Sequence, residues 1–135
     1  MSLYGLFKTN SNLEINGIWI EYGKETRIKI ARAGGQNKQY LAAATKMNTE
    51  YKHQIANDLL EEELAEKLLM DVFVDTVILD WEGVTDEQEN LLEFTPDNVR
   101  QVMNDLPDLF QDLRRMAGTL SLFREEIIAD ESKNS

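Results

Sequence analysis

The 135-residue sequence contains no cysteine, two prolines, one histidine and no long uncharged apolar run. The absence of cysteine excludes disulfides, thiolate nucleophiles and cysteine-ligated metal sites. A bilayer-spanning helix needs about 20 apolar residues in succession, and the sequence offers no such run. The beginning, MSLYGLFKTNSN, lacks the basic and apolar regions of a signal peptide. We therefore expect a soluble intracellular protein that contacts no membrane.

No residue pattern indicates catalysis. The single histidine, His53, lies among polar residues with no serine-centred motif near it, which favours a surface position. The acidic segment 80–93 fails the calcium-loop spacing because Gly83 is fourth from Asp80 rather than sixth. The stretch 33–37, AGGQN, lacks the lysine and hydroxyl of a phosphate-binding loop and is typical of a strand-to-helix turn. We predict a non-enzymatic protein with no catalytic residue, no cofactor and no metal ion.

The formal net charge of −11 is unevenly distributed. Residues 1–57 hold eight lysines and arginines against four glutamates, whereas residues 58–135 hold six against 21 acidic residues. Either the acidic helix faces are simply solvated, or a basic front on one copy meets an acidic back on the next. In both cases the acidic half repels phosphate, so we predict no nucleic-acid partner.

The first part of the chain, about residues 1–35, predicts a small antiparallel sheet. Asn16-Gly17 is a typical hairpin-turn pair, and apolar residues alternate with polar ones around it. A further turn is expected at residues 22–25. Residues 26–31, TRIKIA, alternate cleanly and predict a half-buried strand with Arg27 and Lys29 on its outer face.

The part from about residue 36 to 130 predicts about four helices, followed by a flexible tail at 131–135. The first helix is expected to begin near Asn37. The later helices are expected at residues 57–79, 97–104 and 107–129. The β-branched stretch VFVDTVIL is assigned to the second helix because no breaker precedes Gly83. The expected fold is one α+β domain over residues 1–135, mostly helical.

Residues 77–99 form the joint, which we define as the segment that connects the second and third predicted helices. Strands and helices are expected before it, and helices after it. A helix is expected to restart at Thr95-Pro96, because a threonine side chain caps a helix and proline fits its first position. Trp81 lies in this joint, and Trp19 lies in the strand region. Both adjoin apolar sequence, so we expect core or joint positions rather than binding anchors.

Two predicted helices, 57–79 and 107–129, carry broad apolar stripes. A small domain can bury one stripe and offer part of the other to a partner helix. The candidate partner-binding residues lie on the last stripe: Phe110, Leu113, Leu120 and Phe123. The alternative is that this stripe belongs to the core, in which case aspartate at Leu113 or Phe110 would unfold the chain.

Three stretches in a fixed order carry a family resemblance over roughly residues 13–115. They are Asn16-Gly17-Ile18-Trp19, then IKIARAGGQN at 28–37 with Tyr40, and LDWEGV at 79–84 leading to FTPDN at 94–98. In these features the sequence resembles the tail assembly chaperones of long-tailed, lambda-like bacteriophages.

The resemblance implies a mostly helical protein that binds the apolar, helical tape-measure protein before the tail tube polymerises around it. It also implies a longer, frameshifted product whose extension recruits the tail-tube protein. Such a protein acts in the cytoplasm of the bacterial host and is not expected in the mature virion. The family has no catalytic residues, so the resemblance implies none in this sequence.

The charge division further suggests self-association. The expected contacts join cations of one copy to carboxylates of the next: Arg27, Lys29, Arg32 and Lys38 with Asp105, Asp108 and Asp112. The competing interpretation is an acidic helical regulatory or inhibitor protein of the nucleic-acid-mimic type. The basic first half counts against it, because a mimic gains from uniform negative charge.

Overall fold

The computed structural model describes residues 2–124. Within that range the helices are α1 (Leu3–Phe7), α2 (Ser11–Asn16), α3 (Lys38–Glu50), α4 (Lys52–Ala56), α5 (Glu62–Thr76), α6 (Pro96–Asp105) and α7 (Pro107–Ala117), with a 3-10 helix at Leu120–Phe123. The strands are β1 (Ile18–Tyr22), β2 (Thr26–Ile30) and β3 (Ile78–Glu82). The chain is α+β and mostly helical, as the sequence predicts. None of the helices in this range is long and apolar enough to cross a membrane.

The three strands form one antiparallel sheet in the order β1-β2-β3. The predicted turn after Tyr22 joins β1 to β2, and Gly23 supplies its left-handed conformation with a φ of 76°. The predicted strand over residues 26–31 is confirmed for Thr26–Ile30. Its alternation buries Ile28 and Ile30 and places Arg27 and Lys29 on the opposite face.

The predicted hairpin at Asn16-Gly17 is wrong, because these residues end a helix. The Asn10 side chain accepts the N–H groups of Asn12 and Leu13, which caps α2 at its beginning. Gly17 ends α2 with a φ of 92°. A Cβ there would lie 3.0 Å from the Ile30 carbonyl oxygen, so glycine also permits the close approach to β2.

The helix predicted over residues 57–79 is wrong at both ends. Asn57 follows the short helix α4, and α5 begins only at Glu62. At the other end α5 stops at Thr76, and the following residues form β3, in which Trp81 pairs with Ile28 of β2. The β-branched stretch can serve helix or strand, and the non-local pairing with β2 decides between them.

The restart at Thr95-Pro96 is confirmed. The Thr95 hydroxyl accepts the Asn98 N–H at 3.1 Å, and Pro96 occupies the first position of α6. Pro107 begins α7, as predicted, but the expected continuous helix to residue 129 is wrong. α7 ends at Ala117, before Gly118, and a 3-10 turn follows. Residues 125–129 of that prediction, and the predicted tail at 131–135, lie outside the described residues.

The core lies between the sheet and helices α5, α6 and α7. Aromatic rings link its layers edge to face: Tyr40 of α3 contacts Phe73 of α5, and Phe73 contacts Phe110 of α7 at a centroid distance of 5.6 Å. Trp81 is a joint residue, as expected, because its indole N–H donates to the Leu92 carbonyl at 2.9 Å. Trp19 is half-buried on the outer sheet face, 4.0 Å beneath the Arg27 guanidinium.

A clasp joins the two ends of the described chain. The Asn10 N–H donates to the Phe123 carbonyl at 2.7 Å, and Thr9 forms an antiparallel bridge with Arg124. Beneath it lies a buried ion pair, in which the Arg32 guanidinium approaches the Glu14 carboxylate to 2.5 Å. Gly35 also borders this carboxylate, where a Cβ would clash with it.

Candidate functional site: a groove between three helices

A groove of about 680 Å³ lies between α5, α6 and α7. Pro107 cannot continue α6, and α7 begins there after Leu106 has left the helical conformation, with a φ of −125° and a ψ of 71°. The beginning of α5 runs past the corner that these two helices form, and its side chains make the opposite wall. The groove thus has a helix on either side and a floor between them.

The floor of the groove is apolar and contains two methionines. Met70, Met103 and Phe110 come from three different helices, and each is mostly buried. The Arg114 guanidinium lies 4.7 Å over the Phe110 ring, so it covers that ring with a cation. Methionine side chains are flexible and polarisable, and they adapt to partners of different shape. The floor is therefore apolar but narrow, and a partner helix reaches it only when the methionine side chains and the Arg114 guanidinium move aside.

The rim of the groove carries a concentrated negative charge at the start of α5. Glu62, Glu63 and Glu66 are exposed there, in or beside the first turn. The Arg100 side chain on the facing wall is held by Asp71 at 3.2 Å and reaches Asp75 at 3.9 Å. Arg100 is engaged by these aspartates, but the exposed Lys67 also lines the groove directly after Glu66. The excess of negative charge is therefore confined to the first turn of α5.

The predicted partner-binding residues are mostly core residues, which corrects the interpretation of the last stripe as a docking face. Leu113 is fully buried in the main core, and Phe123 is fully buried beside α1 and α2. Leu120 is half-buried. Phe110 is buried too, yet its ring contributes to the floor of the groove. In its described part, residues 107–123, most of the stripe thus closes this chain's own fold.

The four cations predicted for self-association do not share one free surface. Arg27 is bound by both oxygens of Glu82 at 2.7 and 3.0 Å, which lowers the pKa of that carboxyl. Arg32 turns inward to Glu14. Lys29 lies beside Trp19 on the outer sheet face, and Lys38 is exposed at the start of α3.

The three predicted carboxylates also differ in their surroundings. Asp105 accepts the Gln101 side-chain amide at 3.0 Å, and Asp108 is exposed in the first turn of α7. Asp112 accepts the Tyr22 hydroxyl at 2.6 Å and an Arg115 donor at 2.6 Å. The hydrogen bond from Tyr22 lowers the pKa of Asp112 most, and the bond from Arg115 lowers it further. Burial raises the pKa of the Tyr22 hydroxyl, and its contact with Asp112 raises it further. Asp112 thus ties α7 to β1.

Replacing Tyr22 by phenylalanine is expected to cost about 1 to 2 kcal/mol of unfolding free energy at pH 7, since a hydrogen bond to a charged group is lost. The folded pKa of Asp112 is depressed, so this stabilisation is present above its unfolded pKa of about 4 and is lost as the pH falls through the folded value. Urea unfolding at pH 7 and at about pH 2 measures both values, with exposed Tyr4→Phe as the control. An equal loss at both pH values would contradict the role of the Asp112 charge.

Sequence reasoning missed the groove and its glutamate rim. The sequence leaves open whether its acidic helix faces are solvated or meet a second copy, and nothing in the linear pattern places the α5 glutamates opposite α7. The described residues contain no group of three or more histidine, cysteine or acidic side chains arranged to hold a metal ion. His53 is exposed on α4.

A family model described as YdaY prophage protein matches residues 35–134 of the chain, about three-quarters of its length. The matched range includes α5, α6 and α7, and therefore every helix that forms the groove. No curated protein and no solved structure matches the chain.

Proposed function

We propose that this chain, which belongs to the YdaY prophage protein family, is a non-catalytic tail assembly chaperone. The family shows that the protein is phage-derived. In the proposal, a helical segment of the phage tape-measure protein docks in the groove between α5, α6 and α7. This binding keeps the tape-measure protein soluble until the tail tube assembles around it.

The observation that supports the proposal is the pairing of an apolar floor with an acidic rim. An amphipathic helix docks by laying its apolar residues, spaced three and four apart, along such a floor. The glutamates at the start of α5 favour basic residues beside that apolar stripe. The strongly acidic second half of the chain then gives the complex the net charge that keeps it soluble.

We also propose where the protein acts and how it reaches the tail tube. It acts in the cytoplasm of the bacterial host, is absent from the mature virion, and reaches the tail-tube protein through a frameshifted longer product. An electrostatic contact between copies would use the more available charges, Lys29 and Lys38 on one side and Asp108 on the other. Such a contact weakens as salt is raised from about 50 to about 500 mM.

Reversing the charge of the rim tests the groove. Glu63→Lys with Glu66→Lys changes two exposed side chains, so the fold should survive. We expect tape-measure binding, measured by calorimetry with a soluble segment, to weaken about tenfold at low salt. Glu87→Lys with Glu93→Lys is the matched control, because it makes the same charge change at exposed sites outside the groove lining.

Filling the groove gives a second test. Gln111→Trp puts a large ring at an exposed position that lines the groove and leaves the core intact. On co-expression, the wild-type chain should raise the soluble fraction of the tape-measure protein, and the Gln111→Trp variant should not. Equal solubilisation by both would contradict docking in the groove. Capture of a DNA-binding enzyme in place of the tape-measure protein would favour the inhibitor function.

A further inference from the structure

An apolar patch stands exposed at the beginning of the chain. Leu3, Tyr4 and Phe7 of α1 expose 72, 80 and 64% of their surface. Leu122, on the 3-10 helix that contacts α1, exposes 39%. We name these four residues the N-terminal patch. Monomeric proteins rarely expose a contiguous apolar patch larger than a few hundred square ångströms, and such patches mark interaction sites.

The N-terminal patch is held in place by its surroundings. Ser2 caps α1 by accepting the Gly5 N–H at 3.1 Å. The clasp fixes the segment after α1, through the Asn10 bond to Phe123 and the Thr9 bridge to Arg124. A surface already ordered before binding loses little conformational entropy when it docks. The patch is therefore a preorganised surface.

The size of the patch fits a contact between two copies. An aromatic residue buries about 150 to 250 Å², so the exposed parts of Tyr4 and Phe7 offer roughly 300 Å². The exposed parts of Leu3 and Leu122 add roughly 100 Å². Two copies would thus bury roughly 800 Å² of apolar surface. With a polar rim, the total reaches the roughly 1,000 Å² that a specific interface needs.

The charge around the patch also permits a contact with itself. Residues 2–13 include one lysine and no carboxylate, and Arg124 adjoins them through its bridge to Thr9. A twofold contact therefore keeps these cations at its solvated rim and buries only the apolar side chains. Leucine and aromatic side chains are self-complementary, and twofold dimers are the commonest protein assemblies. The rim glutamates of the groove, in contrast, favour a basic partner.

We infer that the N-terminal patch is the interface of a symmetric dimer of this chain. The dimer is closed, so it does not grow with concentration, and its apolar contact resists salt. None of the described residues that line the groove belongs to α1 or α2, so both grooves stay open. A dimer would then present two grooves to one long helical partner, which raises avidity. The inference stands independently of what the groove binds.

Light scattering after size-exclusion chromatography tests the dimer on the full chain. The chain mass is 15.5 kDa, and we expect twice that mass at high concentration, over a range from about 1 µM to about 1 mM. Added salt should not reduce it. Tyr4→Ser with Phe7→Ser should raise the dissociation constant at least about tenfold, with unchanged circular dichroism.

The control variant removes two equally exposed leucines elsewhere. Leu59→Ser with Leu91→Ser alters positions that are 71 and 76% exposed and far from α1 in sequence, and it should keep the dimer. A mass of 15.5 kDa over the whole range would overturn the inference. So would growth beyond the dimer at about 500 mM salt, where the proposed electrostatic contact between copies is screened, or a control variant that dissociates as much as the patch variant.

Discussion

Replacing Leu113 by aspartate is expected to unfold the protein. Leu113 is fully buried in the core, with Phe110 on the same helix and Ile28 and Ile30 of the sheet in the same cluster. A carboxylate there would be desolvated without a partner, at a cost of several kcal/mol. Domains of this size are stable by only about 5 to 15 kcal/mol. The cooperative thermal transition and the near-ultraviolet circular dichroism should be lost.

The neighbouring position supplies the control for this experiment. Gln111→Asp places the same side chain two residues earlier on α7, at an exposed site, and should leave the transition nearly unchanged. If the Leu113→Asp variant stayed folded but failed to bind its partner, Leu113 would be a docking residue rather than a core residue. That outcome would contradict the assignment of the last apolar stripe to the core.

Replacing Glu14 by alanine is expected to cost about 3 kcal/mol, because it leaves a largely buried cation without its counter-charge. The Glu14 carboxylate is fully buried and accepts both the Arg32 guanidinium at 2.5 Å and the Thr9 hydroxyl at 2.8 Å. Among residues 2–124, the buried Arg32 Nε has no hydrogen-bond partner. Chemical denaturation should show a lower midpoint, and the clasp should loosen with it.

An exposed ion pair on the same sheet gives a matched comparison. Glu82→Ala breaks the Arg27–Glu82 pair, whose members remain largely solvated. Its expected cost is small, because water screens an exposed ion pair. Replacing Glu14 and Arg32 together by methionine should recover much of the lost stability, because neither charge is then buried. Equal costs for Glu14→Ala and Glu82→Ala would contradict the anchoring role of the buried pair.

The features that the sequence predicted correctly depend on local chemistry. Strand β2 follows from the strict alternation of TRIKI, which fixes both its conformation and its buried face. The start of α6 follows from Thr95 and Pro96, and the start of α3 from Asn37, whose side chain accepts the Tyr40 N–H at 3.3 Å. In each case neighbouring residues are enough to determine the structure.

The features that it predicted wrongly depend on distant contacts. Residues 78 and 79 continue a helical pattern, but in the fold they belong to β3, which pairs with the second side of β2. Asn16-Gly17 suits either a hairpin or a helix end, and the Asn10 cap decides for the helix. The apolar face of residues 107–117 was recognisable, but not the fact that the sheet covers it.

The candidate site could be predicted only in outline. The excess of acidic residues after position 58 was evident, and so was an apolar surface on the late helices. The placement of the α5 glutamates across a groove from α7 comes from packing between segments about 45 residues apart. The pairing of β2 with β3 likewise brings Arg27 to Glu82, a contact that the uneven charge distribution along the sequence does not suggest.

Hydrogen exchange on the full chain, alone and with a tape-measure segment of the same prophage, tests the central claim most directly. The account predicts slower exchange in the first half of α5, the end of α6 and the beginning of α7, because these segments form the groove. Exchange in β1 and α3 should stay unchanged. Protection of β1 or α3 with no change in the groove helices would contradict the claim that the groove is the docking site.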